Sequence, residues 1–138
     1  MKPSRILVVE DDKTYSKLLQ STLTVEGFEV SVAENGNAAL QRIAGEAFDL
    51  ILTDVQMPKL DGYEFVHELQ NNLKYKNIPV IMLTASLKSS EAEFWSRELG
   101  AKAFITKSGH YKEIIKKVNE VLMTTLNADK NSIQTWNS

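Results

Sequence analysis

Acidic side chains follow two apolar runs of the sequence, in an arrangement that could bind a metal ion or carry a phosphoryl group. Glu10, Asp11 and Asp12 come directly after ILVV, and Asp54 comes directly after LILT. Several carboxylates within a few ångströms repel one another and raise one another's pKa unless a cation compensates them. Mg²⁺ accepts one or two carboxylates and bridges to phosphate oxygens. These acids therefore predict a site that binds Mg²⁺ and, through it, a phosphoryl group.

A hydroxyl group and an ammonium group stand at the ends of two further apolar runs. Thr84 ends the segment VIMLT, and Lys107 comes directly after AFIT. A lysine can neutralise an anionic oxygen, and a hydroxyl can donate a hydrogen bond to another. A carboxylate nucleophile, a divalent ion, a lysine and a hydroxyl together form a phosphoryl-transfer site. This chemistry requires the ends of the four segments to meet in space.

Five short runs of strand-forming residues alternate with longer segments in which apolar residues recur three or four positions apart. The predicted strands are 5–9, 28–32, 48–53, 80–84 and 103–106, and Tyr15 with three leucines marks the first helix. Strict alternation predicts an α/β fold with a doubly wound, five-stranded parallel sheet between layers of helices. The second run alternates apolar and polar residues, which suits an edge strand, whereas the first, third and fourth are continuously apolar. The pattern favours the strand order 2-1-3-4-5, the flavodoxin-like (βα)5 arrangement.

Turn-forming residues mark where several of the helices begin and end. Gly27 and Gly45 are placed to end the first two helices in the left-handed conformation, and Gly100 is placed to end the fourth. The pair Asp61 and Gly62 is placed to begin the third helix.

The predicted fold brings the candidate residues to one edge of the sheet. In a doubly wound sheet, ligands bind beyond the carboxyl ends of the strands, where the strand order reverses. That point lies between the first and third strands, which lead to Glu10, Asp11 and Asp54. Thr84 and Lys107 stand at the ends of the neighbouring fourth and fifth strands.

Composition excludes several classes of protein. The 138 residues are 43% hydrophobic, which is typical of one globular domain, and we place that domain at residues 1–127 with a polar, frayed tail at 128–138. The net charge of −2 gives no field for binding nucleic acid or an anionic membrane. The lack of cysteine excludes disulfides, and no apolar run has the length of a signal peptide or a membrane span. We therefore expect a cytoplasmic protein.

Four motifs stand in order at the ends of the predicted strands: ILVVEDD, DLILTDVQMPKLDG, VIMLTA and AFITK. With them the sequence resembles the receiver domain of two-component response regulators, in particular the stand-alone regulators of the chemotaxis type. The resemblance extends from Arg5 to Leu126. It implies a phosphorylation-activated switch, not an enzyme, that accepts a phosphoryl group from a sensor histidine kinase or a histidine phosphotransfer protein. Such a chain signals by binding a downstream protein effector, or is one piece of a longer protein.

The resemblance also implies roles for the acidic residues. Asp54 matches the phosphorylated aspartate, and Glu10 and Asp11 match the acidic pair that organises Mg²⁺. Asp54 itself and the backbone carbonyl of Gln56 match the remaining metal ligands. Asp12 matches a third acidic position of the family, although an aspartate there is also well placed to cap the first helix.

Further matches concern catalysis and switching. Thr84 and Lys107 match the hydroxyl and the lysine that act on the phosphoryl group, while Thr84 and Phe104 match the switch pair. Phe104 could equally be an ordinary core aromatic. The family has a proline after the lysine, usually in a cis peptide, whereas this sequence reads Lys107, Ser108, Gly109. A cis bond before a non-proline residue costs about 2.5–4 kcal/mol, so either the fold sustains that strain or the loop follows a different path.

The surface through which the chain would signal is less well defined. The switch pair leads to the surface formed by the fourth helix, the fifth strand and the fifth helix, and a homodimer could form through the same surface. Phe94 and Trp95 are adjacent on the fourth helix and therefore point in different directions. We expect one of them to be exposed for contact with a partner.

Two other functions fit parts of the pattern. A small phosphatase with an aspartate nucleophile would carry D-x-D-x-T at the first strand, where this sequence reads EDDKT. A flavin-binding module of the flavodoxin type needs a loop rich in hydroxyls and glycine after that strand, where the acids would instead repel phosphate. Steady turnover of a phosphomonoester would favour the first alternative, and a yellow protein the second.

Overall fold

Five strands and five helices alternate along the chain in the computed structural model, which describes residues 2–55, 61–85, 90–107 and 111–137. For residues 91, 92 and 126–137 it describes the backbone alone. The strands are β1 (Arg5–Val9), β2 (Glu29–Ala33), β3 (Leu50–Asp54), β4 (Val80–Thr84) and β5 (Ala103–Thr106). The helices are α1 (Lys13–Val25), α2 (Gly36–Gly45), α3 (Gly62–Gln70), α4 (Ser90–Glu98) and α5 (Tyr111–Asn137).

The five strands form one parallel sheet in the order β2-β1-β3-β4-β5, which confirms the predicted fold and places β2 at an edge. β2 begins at Glu29, one residue later than predicted, and β3 also begins later. Phe28 instead completes the end of α1. Its N–H donates to the carbonyl of Leu23 while the N–H of Gly27 donates to that of Thr24, the two hydrogen bonds of a Schellman motif. The helix therefore uses the Phe28 N–H, which is not available to the sheet.

Successive residues of each central strand point to opposite faces of the sheet, and helices cover both faces. One buried cluster joins strand residues to α2 and α3: Leu7, Val9, Ile51, Val80, Met82, Ala39, Ile43, Phe65, Val66 and Leu69. The other joins strand residues to α1 and α5: Ile6, Val8, Leu50, Leu52, Ile81, Leu83, Leu19, Leu23, Ile114, Val118 and Val121. Because apolar side chains fill both faces, the open place for a polar site is at the strand ends.

Most of the predicted helix ends are confirmed. Gly27 and Gly100 have φ angles of 99° and 91°, the left-handed conformation that suits glycine. Asp61 precedes α3, and its carboxylate accepts a hydrogen bond from a first-turn N–H at 2.9 Å. The prediction of a left-handed Gly45 is wrong, because Gly45 is the last residue of α2 and has no positive φ. Glu46 leaves the helix in an extended conformation, which any residue adopts, so no left-handed residue is needed.

The predicted polar tail continues the last helix, because the backbone of α5 is helical from Tyr111 to Asn137. The segment from 127 to 137 contains neither glycine nor proline, so its polar composition does not end the helix. The buried α5 side chains among the described residues lie earlier, at Ile114, Val118 and Val121. Over the part of the chain that the structure describes, no helix combines the length and the apolar character that a membrane crossing needs.

Candidate functional site

Three carboxylates meet at the carboxyl ends of β1 and β3. Val9 is paired with Thr53 in the sheet, so the residues that follow them, Glu10 and Asp54, lie side by side. Glu10, Asp11 and Asp54 each offer one carboxylate oxygen within 4.8 Å of the other two. Glu10 and Asp54 are buried, whereas Asp11 is exposed. The structure thus brings together three of the acids that the sequence places at this edge.

The ammonium group of Lys107 joins two of these carboxylates. Its Nζ donates to Glu10 Oε1 at 2.7 Å and to Asp54 Oδ2 at 2.9 Å. Lys107 follows β5, and its backbone N–H donates to the carbonyl of Thr84 at 2.7 Å, which extends the pairing of β4 and β5 by one residue. The register of the sheet therefore places the lysine beside acids that are 97 and 53 positions away in the sequence.

Tyr15 also lies at the site, although the sequence indicates only its place on the apolar face of the first helix. The Nζ atom of Lys107 lies 4.6 Å from the centroid of the Tyr15 ring. The ring of Tyr111, at the start of α5, lies 6.5 Å from that of Tyr15 between centroids. Tyr15 stands in the first turn of a helix that follows an acidic loop, and this position is the one signal by which the sequence could have indicated that Tyr15 belongs to the site.

Burial determines the electrostatics of the site. Desolvation raises the pKa of Glu10 to about 7; the hydrogen bond from Lys107 opposes this rise, and the neighbouring Asp54 carboxylate adds to it. Desolvation by itself would lower the pKa of Lys107, but the hydrogen bonds to Glu10 and Asp54 raise it above its ordinary value. The lysine therefore remains charged, while Glu10 takes up a proton more readily than an exposed glutamate does.

The three acids fit a small divalent cation. The Oε2 atom of Glu10 is buried and has no hydrogen-bond donor among the residues that the structure describes. Buried polar atoms without a partner are rare in folded proteins, and a cation would supply that partner. One of the three acids, Asp11, is exposed, which suits an ion that keeps several water ligands.

The remaining predicted site residues have different positions. Thr84 is buried at the end of β4, and Phe104 in β5 is half-buried and packs against the cluster beneath α2 and α3. Gln56 lies outside the described residues, and so do Ser108 and Gly109, on which the prediction about the peptide after the lysine depends.

Asp12 caps α1, which is one of the two roles that the sequence indicated for it. Its carboxylate accepts a hydrogen bond from the backbone N–H of Tyr15 at 3.1 Å. Among the described residues, the acids close enough to share a cation are Glu10, Asp11 and Asp54, and Asp12 is not one of them. The acidic loop after β1 therefore divides its residues between the site and the helix.

Gly62 allows the start of α3 to pack directly on the backbone of the loop that follows β3. It is buried, and its N–H donates to the carbonyl of Val55 at 3.1 Å. A Cβ atom at this position would lie 2.9 Å from the Cα of Val55 and would overlap the carbonyl oxygen of Asp54. Glycine is therefore required for α3 to support the backbone that carries Asp54.

Comparison with known families decides what kind of site this is. Residues 6–119 match the model of the response regulator receiver domain family. The chain belongs to this family. Receiver domains are the phosphorylation-activated switches of two-component systems, so the predicted family and the predicted class of function are confirmed.

The curated relatives of this receiver domain are longer proteins. It is 37% identical over 128 residues to the transcriptional regulatory protein CpxR homolog of Haemophilus influenzae, and the alignment covers 93% of this chain and 54% of that protein. The chain spans about half the length of the curated relatives that it matches.

Solved structures of response regulators share the fold of this receiver domain. The chemotaxis protein CheY4 of Vibrio cholerae is 30% identical, with a TM-score of 0.81 over 86% of this chain and 98% of that one. The Mn²⁺-bound form of response regulator Rcp1 is 34% identical, with a TM-score of 0.72 over 86% of this chain and 91% of that one. The likeness to chemotaxis-type regulators is therefore confirmed.

Helix α4 of the receiver domain exposes both of its adjacent aromatic residues, whereas we expected one. Phe94 is 55% exposed and Trp95 is 50% exposed. Their rings meet edge to face, with centroids 5.3 Å apart. The next residue, Ser96, is buried, so α4 directs a small polar side chain inward and leaves the two rings at the surface.

Proposed function

We propose that Asp54 accepts the phosphoryl group in this receiver domain. Asp54 and Glu10 both contact Lys107, but the side chain of Asp54 is 10% exposed against 1% for Glu10. Asp54 is thus the lysine-bound acid that an incoming donor can reach, and this observation carries the proposal. Its carboxylate attacks the phosphorus of a phosphohistidine in line: an O–P bond forms, the P–N bond breaks, and the electron pair passes to the histidine nitrogen.

Glu10, Asp11 and Asp54 would hold Mg²⁺, with the backbone carbonyl of Gln56 as a further ligand. The support is the group of three carboxylates, the buried Glu10 oxygen without a donor among the described residues, and a similar regulator with bound Mn²⁺. When bound, Mg²⁺ supplies positive charge that offsets the charge of the phosphoryl oxygens.

Lys107 and Thr84 would act on the oxygens of the incoming group. Lys107 already donates to Asp54 Oδ2, so its ammonium can pair with a phosphoryl oxygen that arrives at the same carboxylate. Thr84 ends the strand next to β3 and can donate its hydroxyl to another of the oxygens. Both residues would therefore stabilise the acyl phosphate once it has formed.

Phe104 would carry the change from the site to the surface formed by α4, β5 and α5. It lies two positions before Thr106, which is the sheet partner of Thr84. A surface pocket of about 240 Å³ is lined by Phe104, Arg97 and Lys117, so there is open volume beside Phe104. A movement of Thr84 towards the phosphoryl group would favour one position of the Phe104 ring over another.

We infer that the donor is a sensor histidine kinase or a histidine phosphotransfer protein and that the output is contact with a protein effector in the cytoplasm. The net charge of −2 supports protein contact over direct binding to nucleic acid. The exposed Phe94 and Trp95 support α4 as part of the effector surface, through which a homodimer can also form. As a phosphoacceptor, the chain would not act on external substrates, and no observation favours the phosphatase alternative.

The test is phosphorylation by phosphoramidate in the presence of Mg²⁺. We expect the wild type to gain one phosphoryl group per chain and Asp54→Asn to gain none, because an amide is a poor nucleophile. Intact-protein mass spectrometry and Phos-tag electrophoresis measure the outcome.

The matched control is Asp61→Asn, an aspartate in the segment after the site. Asp61 caps α3, and asparagine caps a helix as well as aspartate does, so this variant should be phosphorylated like the wild type. Phosphorylation of Asp54→Asn would refute the proposal, and steady release of phosphate from a phosphomonoester would favour the phosphatase.

A further inference from the structure

The ring of Tyr15 is the third close partner of the Lys107 ammonium. Nζ lies 4.6 Å from the ring centroid, within the distance of about 6 Å at which a cation is attracted to an aromatic face. The side chain of Lys107 is only 15% exposed, so water screens this attraction weakly. The ammonium thus contacts two carboxylates and one uncharged ring.

The fold holds the Tyr15 ring in this place from two sides. The Asp12 carboxylate that caps α1 accepts its hydrogen bond from the N–H of Tyr15 itself, so the start of the helix fixes the backbone of the tyrosine. The ring of Tyr111 lies 6.5 Å away at an angle of 32°. The acidic loop, α1 and α5 therefore all contribute to the position of one ring.

The hydroxyl group does not account for that position. The Tyr15 hydroxyl oxygen is buried and has no hydrogen-bond partner in the described part of the chain. Burial, the largest cause, raises the pKa of Tyr15 to about 12, so the phenol stays protonated and the ring neutral near pH 7. What Tyr15 offers the site is thus its ring face.

We propose that Tyr15 is a positioning residue for phosphoryl transfer: its ring face holds the Lys107 ammonium beside Asp54. This rests on the proposed function, in which Asp54 is the acceptor. The Lys107 contact with the Asp54 carboxylate changes when that carboxylate becomes an acyl phosphate, whereas the attraction of the ring does not depend on the charge of Asp54. Tyr15 therefore keeps the ammonium in the site before and after the transfer.

The first experiment measures the rate of phosphorylation by phosphoramidate with Mg²⁺ in a set of variants. Tyr15→Leu keeps an apolar side chain without a ring and should be about five- to tenfold slower, while Tyr15→Phe keeps the ring and should stay within twofold of the wild type. Combined with Lys107→Ala, Tyr15→Leu should have less than a twofold further effect. If Tyr15 had only a packing role, Tyr15→Leu would instead slow phosphorylation by the same factor in the wild type and in Lys107→Ala.

The matched control is Tyr75→Leu. Tyr75 also has a lysine over its ring, with Lys74 Nζ 5.6 Å from the centroid, but it packs against the other core cluster. Its replacement should leave the rate unchanged.

The second experiment does not depend on phosphorylation. In the metal-free protein, the ring current of Tyr15 should shift the ε-methylene protons of Lys107 upfield, and Tyr15→Leu should remove that shift. A wild-type rate for Tyr15→Leu, an equal slowing in the Lys107→Ala background, or an unshifted Lys107 signal would each overturn the inference. Phosphorylation of Asp54→Asn would instead overturn the proposed function, and the Lys107 signal would still test the contact.

Discussion

Glu10 has one carboxylate oxygen bonded to Lys107 and a second, buried oxygen without a hydrogen-bond donor among the described residues. A lysine that serves both Glu10 and Asp54 cannot fully compensate two buried carboxylates and the neighbouring Asp11. At the scale of single residues, the site without a cation is therefore electrostatically incomplete, and this shortfall gives it affinity for metal and for protons.

The raised pKa of Glu10 predicts a pH dependence of stability in the metal-free protein. Its pKa is about 7 in the folded state against 4.5 for an ordinary glutamate, so the folded state binds the proton more tightly than the unfolded chain does. The stabilisation of the folded state by this proton is complete below pH 4.5 and is lost as the pH rises through 7. Wild type should lose up to about 3 kcal/mol of unfolding free energy over this interval relative to Glu10→Gln, as measured by urea denaturation.

The control for this prediction is Glu34→Gln, which changes an exposed glutamate. Glu34→Gln should follow the wild type at every pH, because water solvates an exposed carboxyl group in the folded and in the unfolded chain alike. A parallel pH dependence in wild type and Glu10→Gln would contradict the assignment of the raised pKa to Glu10.

At the scale of elements, the register of the parallel strands builds the site. Asp54 is paired with Leu83, the residue before Thr84, and Thr84 is paired with Thr106, the residue before Lys107. Asp54, Thr84 and Lys107 therefore come to the same edge of the sheet. A slip of one residue in any pair would turn the polar side chains to the opposite face of the sheet. The apolar clusters on both faces prevent such a slip, because it would expose every buried strand residue.

The close contact of α3 with the loop after β3 predicts opposite effects for two glycine substitutions. Gly62→Ala should lower the unfolding free energy by about 1–3 kcal/mol and slow phosphorylation, because its Cβ would overlap the backbone at Asp54. Gly45→Ala should raise the unfolding free energy by about 0.4–1 kcal/mol, because a Cβ there meets open space and φ is not positive. Chemical denaturation and the phosphoramidate rate measure both; a tolerated Gly62→Ala would contradict the packing described.

At the scale of the whole molecule, α5 is the longest of the five helices in the part of the chain that the structure describes. Its 27 residues span about 40 Å, yet its buried side chains among the described residues end at Val121. These buried side chains all lie within the proposed domain of residues 1–127.

Truncation after Leu126 tests that boundary. The shortened chain should lose helical signal in circular dichroism while its unfolding free energy changes by no more than about 0.5 kcal/mol and its phosphorylation rate stays the same. Truncation after Lys116 is the contrasting variant, because it removes Val118 and Val121 from the core and should prevent folding. A large loss of stability on truncation after Leu126 would place the domain boundary later.

Several features could be predicted from the sequence because they depend on residues that are close together in the chain. The apolar periods indicate the strands and their order, and the motifs indicate which strand ends carry Glu10, Asp54 and Lys107. The limits of the elements were less accurate: the left-handed Gly27 draws Phe28 into the end of α1, and nothing in the polar segment after Leu126 ends α5. These differences follow from backbone hydrogen bonds that composition does not report.

The sequence by itself determined the fold class, the strand order and the acids at the point where the strand order reverses. An apolar period of two or of three to four residues permits few ways to bury both faces of a sheet. Only the tertiary structure decided that Lys107 bridges Glu10 and Asp54 and that Tyr15 lies beside its ammonium. These contacts join residues from four different elements or loops, and their distances depend on strand register and on how α1 packs against the sheet. No local pattern specifies either of these.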